Sequence, residues 1–509
     1  MPKFYLLVNW EEKMISFYTS IFLIFWWLKM SNIKRLSILA VLLFSQVILA
    51  EETFEALVNE FLEQNYNIRS SKSSVESSIA DKSIFEASTD TNFDFKVNYL
   101  DNNLDSPTVV NFAAGKTTQA TLSLSKFFKF GTTVSFENTF SNTIQDPTRV
   151  QIFGGDPEVS EFKQTLTLSQ SLTKNLLGRS FKLGLQQNEL LLDSAKNKYD
   201  LDTQNGVGGF SKAYINLMQA RDFLLLQKEA YDRAKKRKEL IDRRVRDGLS
   251  LKVDGLQSQI QLLNQLEQYE QAKQNFSKAK INLGKLLHRD VGDKEKILKF
   301  GQGMAFLSRE SSFDILNNPA VKLVGSQMRV AETSKNLARN NKKPDVDFVV
   351  RYQTNDFDAE SSEVFGKGNL AGSRNFLTVS VTATMPFGNI KAKKELQKAK
   401  FKYQDLAYQL SQIKSNAEQE YEEISRQLEL TRKNVRSSNQ SILLSKKSLG
   451  EYNKLYRLGK VSLDQVINAE QLLISNQKKY IGYLASEHIQ KIDLLLLSGN
   501  LIESIRGEK

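Results

Sequence analysis

The chain has 509 residues, with 70 Lys+Arg against 58 Asp+Glu (net charge +12), two His and no Cys. The missing cysteine excludes thiol chemistry, disulfides, Cys-ligated zinc and an N-terminal lipid-anchored cysteine, and two histidines leave little for a His-rich metal centre. No window reaches the roughly 20 apolar residues of a membrane-spanning helix, while the positive charge keeps nucleic acid and acidic lipid open as partners.

Residues 1–50 read as an export signal. Met30 opens MSNIKRLSILAVLLFSQVILA, in which Lys34 and Arg35 form a positive segment, Leu36–Phe44 an apolar core, and Ala50 a cleavage position ahead of Glu51-Glu52. Ile15–Leu28 is a second apolar run, too short to span a bilayer comfortably. Translation starting at Met30 is one reading of it, and a pair of hydrophobic anchors is the other. Removing residues 1–50 takes away five basic and two acidic side chains, which leaves 459 residues with a charge of +9. An exported chain without cysteine suits the periplasm or outer membrane of a Gram-negative cell.

The rest is one unit written twice. Asp94, Phe95, Val97 and Tyr99 recur as Asp347, Phe348, Val350 and Tyr352, an offset of 253; Gly178 and Gly388 differ by 210, and Gly248 and Gly459 by 211. So regular a shift indicates internal duplication, with an insertion of about 43 residues in the first half between Tyr99 and Gly178. The division is 51–300 for the first repeat and 301–509 for the second. The seven prolines, at 2, 107, 147, 157, 319, 344 and 386, leave 159–318 and 387–509 free of helix breakers.

In chain order, 53–88 is expected to be helical, with Phe54, Leu57, Phe61 and Ile68 on its apolar face. Phe93, Phe95, Val97 and Tyr99 form an alternating strand stripe. ATLSLSKFF and TTVSFENTF around Gly131 read as an extra hairpin inside the insertion. In QTLTLSQSL, Leu166, Leu168 and Leu172 oppose Thr165, Thr167, Ser169 and Ser171; FLTVSVTATM and Val346–Tyr352 alternate likewise. Strands of about 9–11 residues with one apolar and one small-polar face suit a transmembrane barrel with a wet lumen, and equally a soluble sandwich. Loops 105–116, 144–161 and 358–373 have the composition of exposed tips. Long helices are expected from Gly178 to Gly248 and from Gly388 to Gly459, each on the order of 100 Å. Leu396, Ala399, Tyr403, Leu406, Leu410, Ile413, Ala417 and Tyr421 carry the apolar seam of the second. Gly206, Gly208 and Gly209 are expected to weaken the first. Return helices run from about Asp254 to Leu287 and from Leu463 to Leu497.

Duplicated helix–strand–long helix–return helix units resemble the TolC family of outer-membrane efflux and secretion channels. LTLSQSL…LLG and VSVTATMPFGN look like its strand-to-helix passages, and YRLGKVSLDQVINAEQLLISNQKKY like its second helical turn, with RRVRDGLSLKVDGLQSQIQLLNQ the looser first counterpart. The resemblance covers 51–500. It implies an α+β fold: a trimeric outer-membrane β-barrel continued by a long antiparallel α-helical, coiled-coil barrel, two structural repeats per protomer. The function implied is the passive exit duct of a tripartite efflux or type I secretion system. The partners implied are two further copies of the chain, outer-membrane lipid, a periplasmic membrane-fusion adaptor and an inner-membrane RND or ABC pump, with no nucleic acid and no cofactor. Family members have four strands per protomer and twelve per barrel. The extra hairpin here departs from that count, and the sequence leaves open whether it enlarges the barrel or folds over a rim.

The two turns hold the candidate adaptor-docking residues: Arg246, Asp247, Gly248 and Leu249, and Arg457, Leu458, Gly459 and Lys460. Glycine there supplies a positive φ, and the same residues serve as plain helix caps. The resemblance places acidic rings and Tyr/Arg/Asp contacts near such tips. The position matching the aspartate is Gly450, and Asp242, Arg243, Glu451 and Tyr452 are the gate candidates. Residues 233–246 hold eight basic residues opposed only by Glu239 and Asp242; they suit anionic cargo, an acidic adaptor or a solvated helical face. His288 and His488 are expected on helix surfaces or interfaces. No catalytic or metal-binding constellation stands out in the sequence. The competing readings are a periplasmic or cytoplasmic coiled-coil structural or nucleic-acid-binding protein and a periplasmic scaffold with a β-sandwich head.

Overall fold

Two helices of 68 residues each set the frame of the molecule, whose computed structural model describes residues 53–507 apart from 103–114, 146–149, 152–153, 293–296, 299, 301–303, 309–312 and 368–373. The expected export signal lies outside the described residues, as do most of the expected loop 105–116 and the last six residues of the expected loop 358–373, whose earlier part holds a short helix.

The first half opens with α1 (Thr53–Gln64) and α2 (Tyr66–Ala87), followed by strands β1 (Thr91–Asp101), β2 (Lys116–Phe127), β3 (Thr132–Ile144) and β4 (Glu158–Ser171). The long helix α3 (Arg179–Arg246) and its return helix α4 (Lys252–Leu287) complete it. The second half runs α5 (Pro319–Asn341), β5 (Asp345–Asp358), the short α6 (Ser361–Lys367), β6 (Asn375–Thr384), the long helix α7 (Ile390–Arg457) and its return α8 (Leu463–Leu497). The described chain closes with α9 (Leu501–Arg506). Arg179 and Ile390 open the long helices and Arg246 and Arg457 close them, 211 positions apart at both ends. The structural counterpart of Gly178 is therefore Asn389 rather than Gly388; both take a left-handed backbone immediately before their helix.

The single helix expected over 53–88 is two. Asn65 adopts an extended backbone and its Oδ1 accepts from the amides of Asn67 and Ile68 at 3.0 and 3.1 Å, which ends α1 and caps α2. The glycines 206, 208 and 209 do not break α3, which is helical throughout. A Cβ at Gly208 would lie 2.5 Å from Leu496 Cδ1, and one at Gly206 would lie 3.2 Å from Ile68 Cδ1. Those two bring α3 close to α8 and α2; Gly209 faces open space.

The main core surrounds this crossing. Phe54, Val58 and Phe61 of α1 meet Phe210, Tyr214, Leu217 and Met218 of α3, with Leu283 and Leu287 of α4, Ile492 and Leu495 of α8, and Leu501 of α9. Phe54 stacks on Phe306 at 5.6 Å and Phe61 on Phe210 at 5.0 Å. Burying a side chain of this size stabilises by about 1.5–3 kcal/mol, so α1 clamps the middle of the helical body. His488 belongs to this region rather than to a surface. It is buried, its Nδ1 lies 2.8 Å from the Leu484 carbonyl, and its ring meets Phe300 edge-on at 5.3 Å. His288 is exposed; it caps α4 with a left-handed backbone and packs on Tyr66.

The strands form one antiparallel sheet in the order β1-β2-β3-β4-β5-β6. The inserted hairpin is β2–β3, and it occupies the middle of the sheet. Its turn sits at the helical end, where Gly131 and Gly178 allow backbone contact that a Cβ would block, against the Asn175 and Lys129 carbonyls respectively. Asn175 Oδ1 then accepts from the Ser180 and Phe181 amides at 3.0 and 3.2 Å, tying that turn to the first residues of α3.

Candidate functional site

The strand alternation produces a sheet with two chemically different faces, and the register shows that they run across all six strands. Phe93 pairs with Leu124, Leu124 with Phe136, Phe136 with Leu166, Leu166 with Tyr352 and Tyr352 with Leu377. One step along the other face, Asp94, Ser123, Glu137, Thr165 and Gln353 are successive partners. On β2 and β4 the polar face is the more enclosed: every odd position of β2 is half-buried, whereas Thr118, Leu124 and Lys126 are exposed, as are Leu166 and Leu168 of β4. Side chains knit it together, with Asn355 donating to Glu161 at 2.9 Å and Thr121 meeting Thr139 at 3.4 Å. Leu166 and Leu168 on the apolar face are both 39% exposed although β4 is central. A polar hollow and an apolar outside suit a water-filled passage through lipid. Among the described residues no helix is long and apolar enough to cross a membrane.

At the far end of the helices, both long helices finish in the same way. Gly248 (φ +70°) donates to the Val245 carbonyl at 3.2 Å and Leu249 to the Arg244 carbonyl at 2.8 Å. Gly459 (φ +71°) donates to Tyr456 at 3.0 Å and Lys460 to Leu455 at 3.0 Å. This crossed pair of bonds requires a left-handed residue, which is why glycine stands at both places. Each return helix then starts with a first-turn side chain that reaches back to the amide of the N-cap residue. Asp254 Oδ2 accepts from the Leu251 amide at 3.2 Å, and Gln465 Oε1 from the Ser462 amide at 3.1 Å. All eight docking candidates, Arg246, Asp247, Gly248, Leu249, Arg457, Leu458, Gly459 and Lys460, are exposed at these apices.

The two hairpins touch just behind the tips. Ile241 of α3 packs with Leu463 and Ile467 of α8, Val245 and Tyr456 lie against them, and Gln257 Nε2 reaches Asp464 Oδ2 at 3.3 Å. The gate candidates separate here. Tyr452 packs into the α7–α8 cluster of Leu449, Val466, Ala469 and Leu473. Asp242 pairs with Lys238 at 2.5 Å on its own helix, and Glu451 with Lys454 at 2.7 Å. Arg243 is exposed. The structure does not bring these four residues into mutual contact.

What links the hairpins is a residue that sequence reasoning missed. Glu470 of α8 is 1% exposed and accepts from Arg233 Nε at 2.7 Å and from Arg237 Nη2. Arg244 lies over the Tyr456 ring at 5.2 Å. The basic run 233–246 is therefore not a uniformly solvated face: two of its arginines turn inward onto a buried carboxylate, and a third covers an aromatic ring. The signal was present, since Glu470 stands on the apolar face with Val466, Ile467, Leu473 and Ile474.

Among the described residues no cluster of three or more His, Cys, Asp or Glu could hold a metal ion. A groove of about 770 Å³ between Lys273, Phe276, Lys280, His288 and Arg289, and one of about 630 Å³ between Leu191, Val330, Ala331, Lys398 and Leu406, lie along helix faces.

A two-faced antiparallel sheet standing on a pair of very long helical hairpins is the architecture of an outer-membrane channel protomer. Residues 133–288 match the family described as outer membrane efflux protein, and the fold is shared with solved outer-membrane channels. Similar solved structures include CusC, described through the changes accompanying folding and transmembrane channel formation (13% identity over 88% of this chain and 92% of that chain, TM-score 0.66). VceC, an outer membrane protein of Vibrio cholerae, is alike at 12% identity over 87% and 95%, TM-score 0.66. The CmeC outer membrane channel of Campylobacter jejuni shares 15% identity over 90% of both chains, TM-score 0.62. No curated protein matches the chain at significant sequence similarity.

Proposed function

We propose that the chain is one third of a homotrimeric, passive exit duct in the outer membrane, its helices reaching into the periplasm. The observation that carries this is the sheet: an apolar face running from Phe93 to Leu377 across six strands, opposite a polar one. The helical body supports the assembly, since Val253, Leu256, Ile260 and Leu263 of α4 form an exposed apolar stripe spaced 3, 4 and 3. That spacing belongs to a helix with a neighbour, and a second copy of the chain supplies it. The exposed apices around Gly248 and Gly459 dock a periplasmic adaptor, which couples the duct to an inner-membrane pump of an efflux or type I secretion system. The duct performs no chemistry and selects little; the pump chooses the cargo.

The test is fractionation and reconstitution. The expected result is outer-membrane localisation, a detergent-stable trimer and discrete single-channel currents in planar bilayers. A soluble periplasmic protein without channel activity would overturn the reading. The nucleic-acid alternative is disfavoured by Arg233 and Arg237, which are held on Glu470 rather than offered to phosphate. The neighbouring genes discriminate the pump class: an adjacent ABC transporter points to protein secretion, a proton-driven pump to drug or metal efflux.

A further inference from the structure

Strands β1 and β6 lie at opposite edges of the sheet. β6 reads NFLTVSVTAT, ten residues without a charge or a proline, and Phe376, Leu377, Val379 and Val381 are 58–63% exposed. In β1, Phe93, Phe95, Val97 and Tyr99 are similarly open. β1 carries Asp94, Lys96 and Asp101, but long edges with an open apolar face template pairing with another chain unless something covers them. The two edges are also complementary: they are 11 and 10 residues long, and successive strands alternate in direction, so β1 and β6 run opposite ways. Pairing β1 of one copy with β6 of the next therefore continues the antiparallel order and keeps every helical body on the same side. Pairing β1 with β1 by a two-fold axis would send the helices to opposite sides.

The inserted hairpin enters this argument because of where it lies. β2 pairs with β1 over 11 positions and with β3 over 12, and β3 pairs with β4 over 13, without interruption. Leu122, Leu124, Phe136 and Phe140 share the apolar face with Leu166, and Thr121, Glu137 and Thr139 the polar one with Thr165. Its turn is fixed at the helical end through Gly131, Asn175 and Gly178. The hairpin is wall, not a flap over a rim.

We infer that three copies close one barrel of 18 strands, with β1 of each copy paired to β6 of the next, in place of the twelve-stranded barrel that four strands per protomer would give. Barrel diameter grows roughly linearly with strand number, so the mouth is about one and a half times wider than a twelve-stranded one, and barrels of 16–18 strands leave an aqueous channel. A duct of this width admits bulkier cargo at its outer end, and the narrow point falls to the helical tips.

This inference rests on the trimeric reading, and the experiment keeps the two apart. The 509 residues contain no cysteine, so single and paired cysteines report cleanly. Light scattering of the detergent-extracted protein gives the copy number. In the same preparation, Asn98→Cys on β1 is combined in turn with Thr378→Cys, Ser380→Cys and Thr382→Cys on β6, and oxidised. One pairing is expected to give a covalent ladder ending at three chains. Spin labels at Leu124→Cys and Phe136→Cys in liposomes are expected to meet oxygen and to be shielded from a water-soluble nickel chelate, and labels at Thr121→Cys and Ser135→Cys to show the reverse. A trimer with no cross-link in any pairing, or with Leu124 and Phe136 open to the chelate, would overturn the 18-stranded wall and leave the trimer standing. A copy number other than three would overturn the trimer itself.

Discussion

Arg233 Nε donates to Glu470 Oε1 at 2.7 Å across the contact between the two helical hairpins, and Glu470 is buried on every side. Arg237 donates to the other oxygen, while Arg233 Nη2 and Arg237 Nη1 are buried without a partner among the described residues. Removing the carboxylate leaves Arg237, 14% exposed, without its counter-charge beside Arg233, which is 34% exposed and 3.7 Å from Glu229. Breaking a fully buried pair costs about 3–5 kcal/mol, and the exposure of Arg233 places this one at or below the lower end. Glu470→Ala is expected to loosen α3 from α8, read as faster amide hydrogen exchange around 233–245 and 463–474 and as larger or more frequent currents in bilayers. Glu470→Asp, which keeps the charge but shortens the reach, should fall between. Unchanged exchange and unchanged currents in Glu470→Ala would show that the tips are held by the Ile241–Leu463 contact alone.

The glycines in the middle of α3 provide a contrast of sign. At Gly208 an alanine Cβ would press on Leu496, with Cδ1 at 2.5 Å and Cγ at 3.1 Å, so either the leucine side chain is displaced or α3 and α8 part. Overpacking of this kind costs about 1–3 kcal/mol. Gly209 is helical with nothing within 4 Å of its would-be Cβ, and alanine there gains about 0.8–1 kcal/mol of helix propensity. Gly208→Ala is expected to lower, and Gly209→Ala to raise, the midpoint of thermal unfolding followed by helical circular dichroism. Equal shifts for the two would mean that the α3–α8 approach is not set by residue 208.

The same pair shows how far the chain could be read without coordinates. Long helices, their glycine turns and the return helices were legible because capping is local chemistry: the residues that end α3 and α7 also make the bonds that end them. Both strand faces were legible for the same reason, since alternation needs only neighbours. The close approaches that Gly206 and Gly208 permit were not legible because their neighbours, Ile68 and Leu496, are remote in sequence. Glu470 escaped because the arginines that neutralise it lie more than 230 positions earlier. The inserted hairpin was recognisable as a hairpin, yet alternation fixes faces and not strand order, so its place in the middle of the sheet required the register. The break at Asn65 was hidden because the apolar periodicity of 54, 61 and 68 runs straight through it.

Burial lowers the pKa of His488 below its ordinary value; the Leu484 carbonyl pulls it up, Lys491 pushes it down and Glu487 raises it, each less than burial does. The folded protein therefore keeps this imidazole neutral in a range where the unfolded chain, titrating near 6.5, has already taken up a proton. The unfolded state binds more protons there, so stability rises with pH across the interval and is lost as pH falls from about 6.5 toward the folded value. His488→Gln is expected to flatten that part of the profile. Urea midpoints measured between about pH 5 and pH 8 for both proteins should differ by a constant amount above neutrality and draw together as pH falls below about 6.5. Parallel curves would assign the acid sensitivity to other groups.

Leu166 and Thr165 are neighbours on β4 with opposite fates. Leu166 lies between Phe136 and Tyr352 on the apolar face, and Thr165 lies between Glu137 and Gln353 on the polar one. In a barrel crossing lipid, a lysine at Leu166 would enter hydrocarbon, at a cost of about 2–4 kcal/mol near the bilayer midplane. A lysine at Thr165 would face water opposite Glu137, where directly opposed unlike charges contribute about 0.2–1 kcal/mol. Leu166→Lys is expected to lower the yield of protein folded into liposomes and to shift its denaturant midpoint down, whereas Thr165→Lys should insert like the unaltered chain. The same contrast should recur on the inserted hairpin between Leu124→Lys and Thr121→Lys, because both strands share the register. Equal tolerance at Leu166 and Thr165 would mean that neither face meets lipid, and a soluble sandwich head would then account better for the alternation.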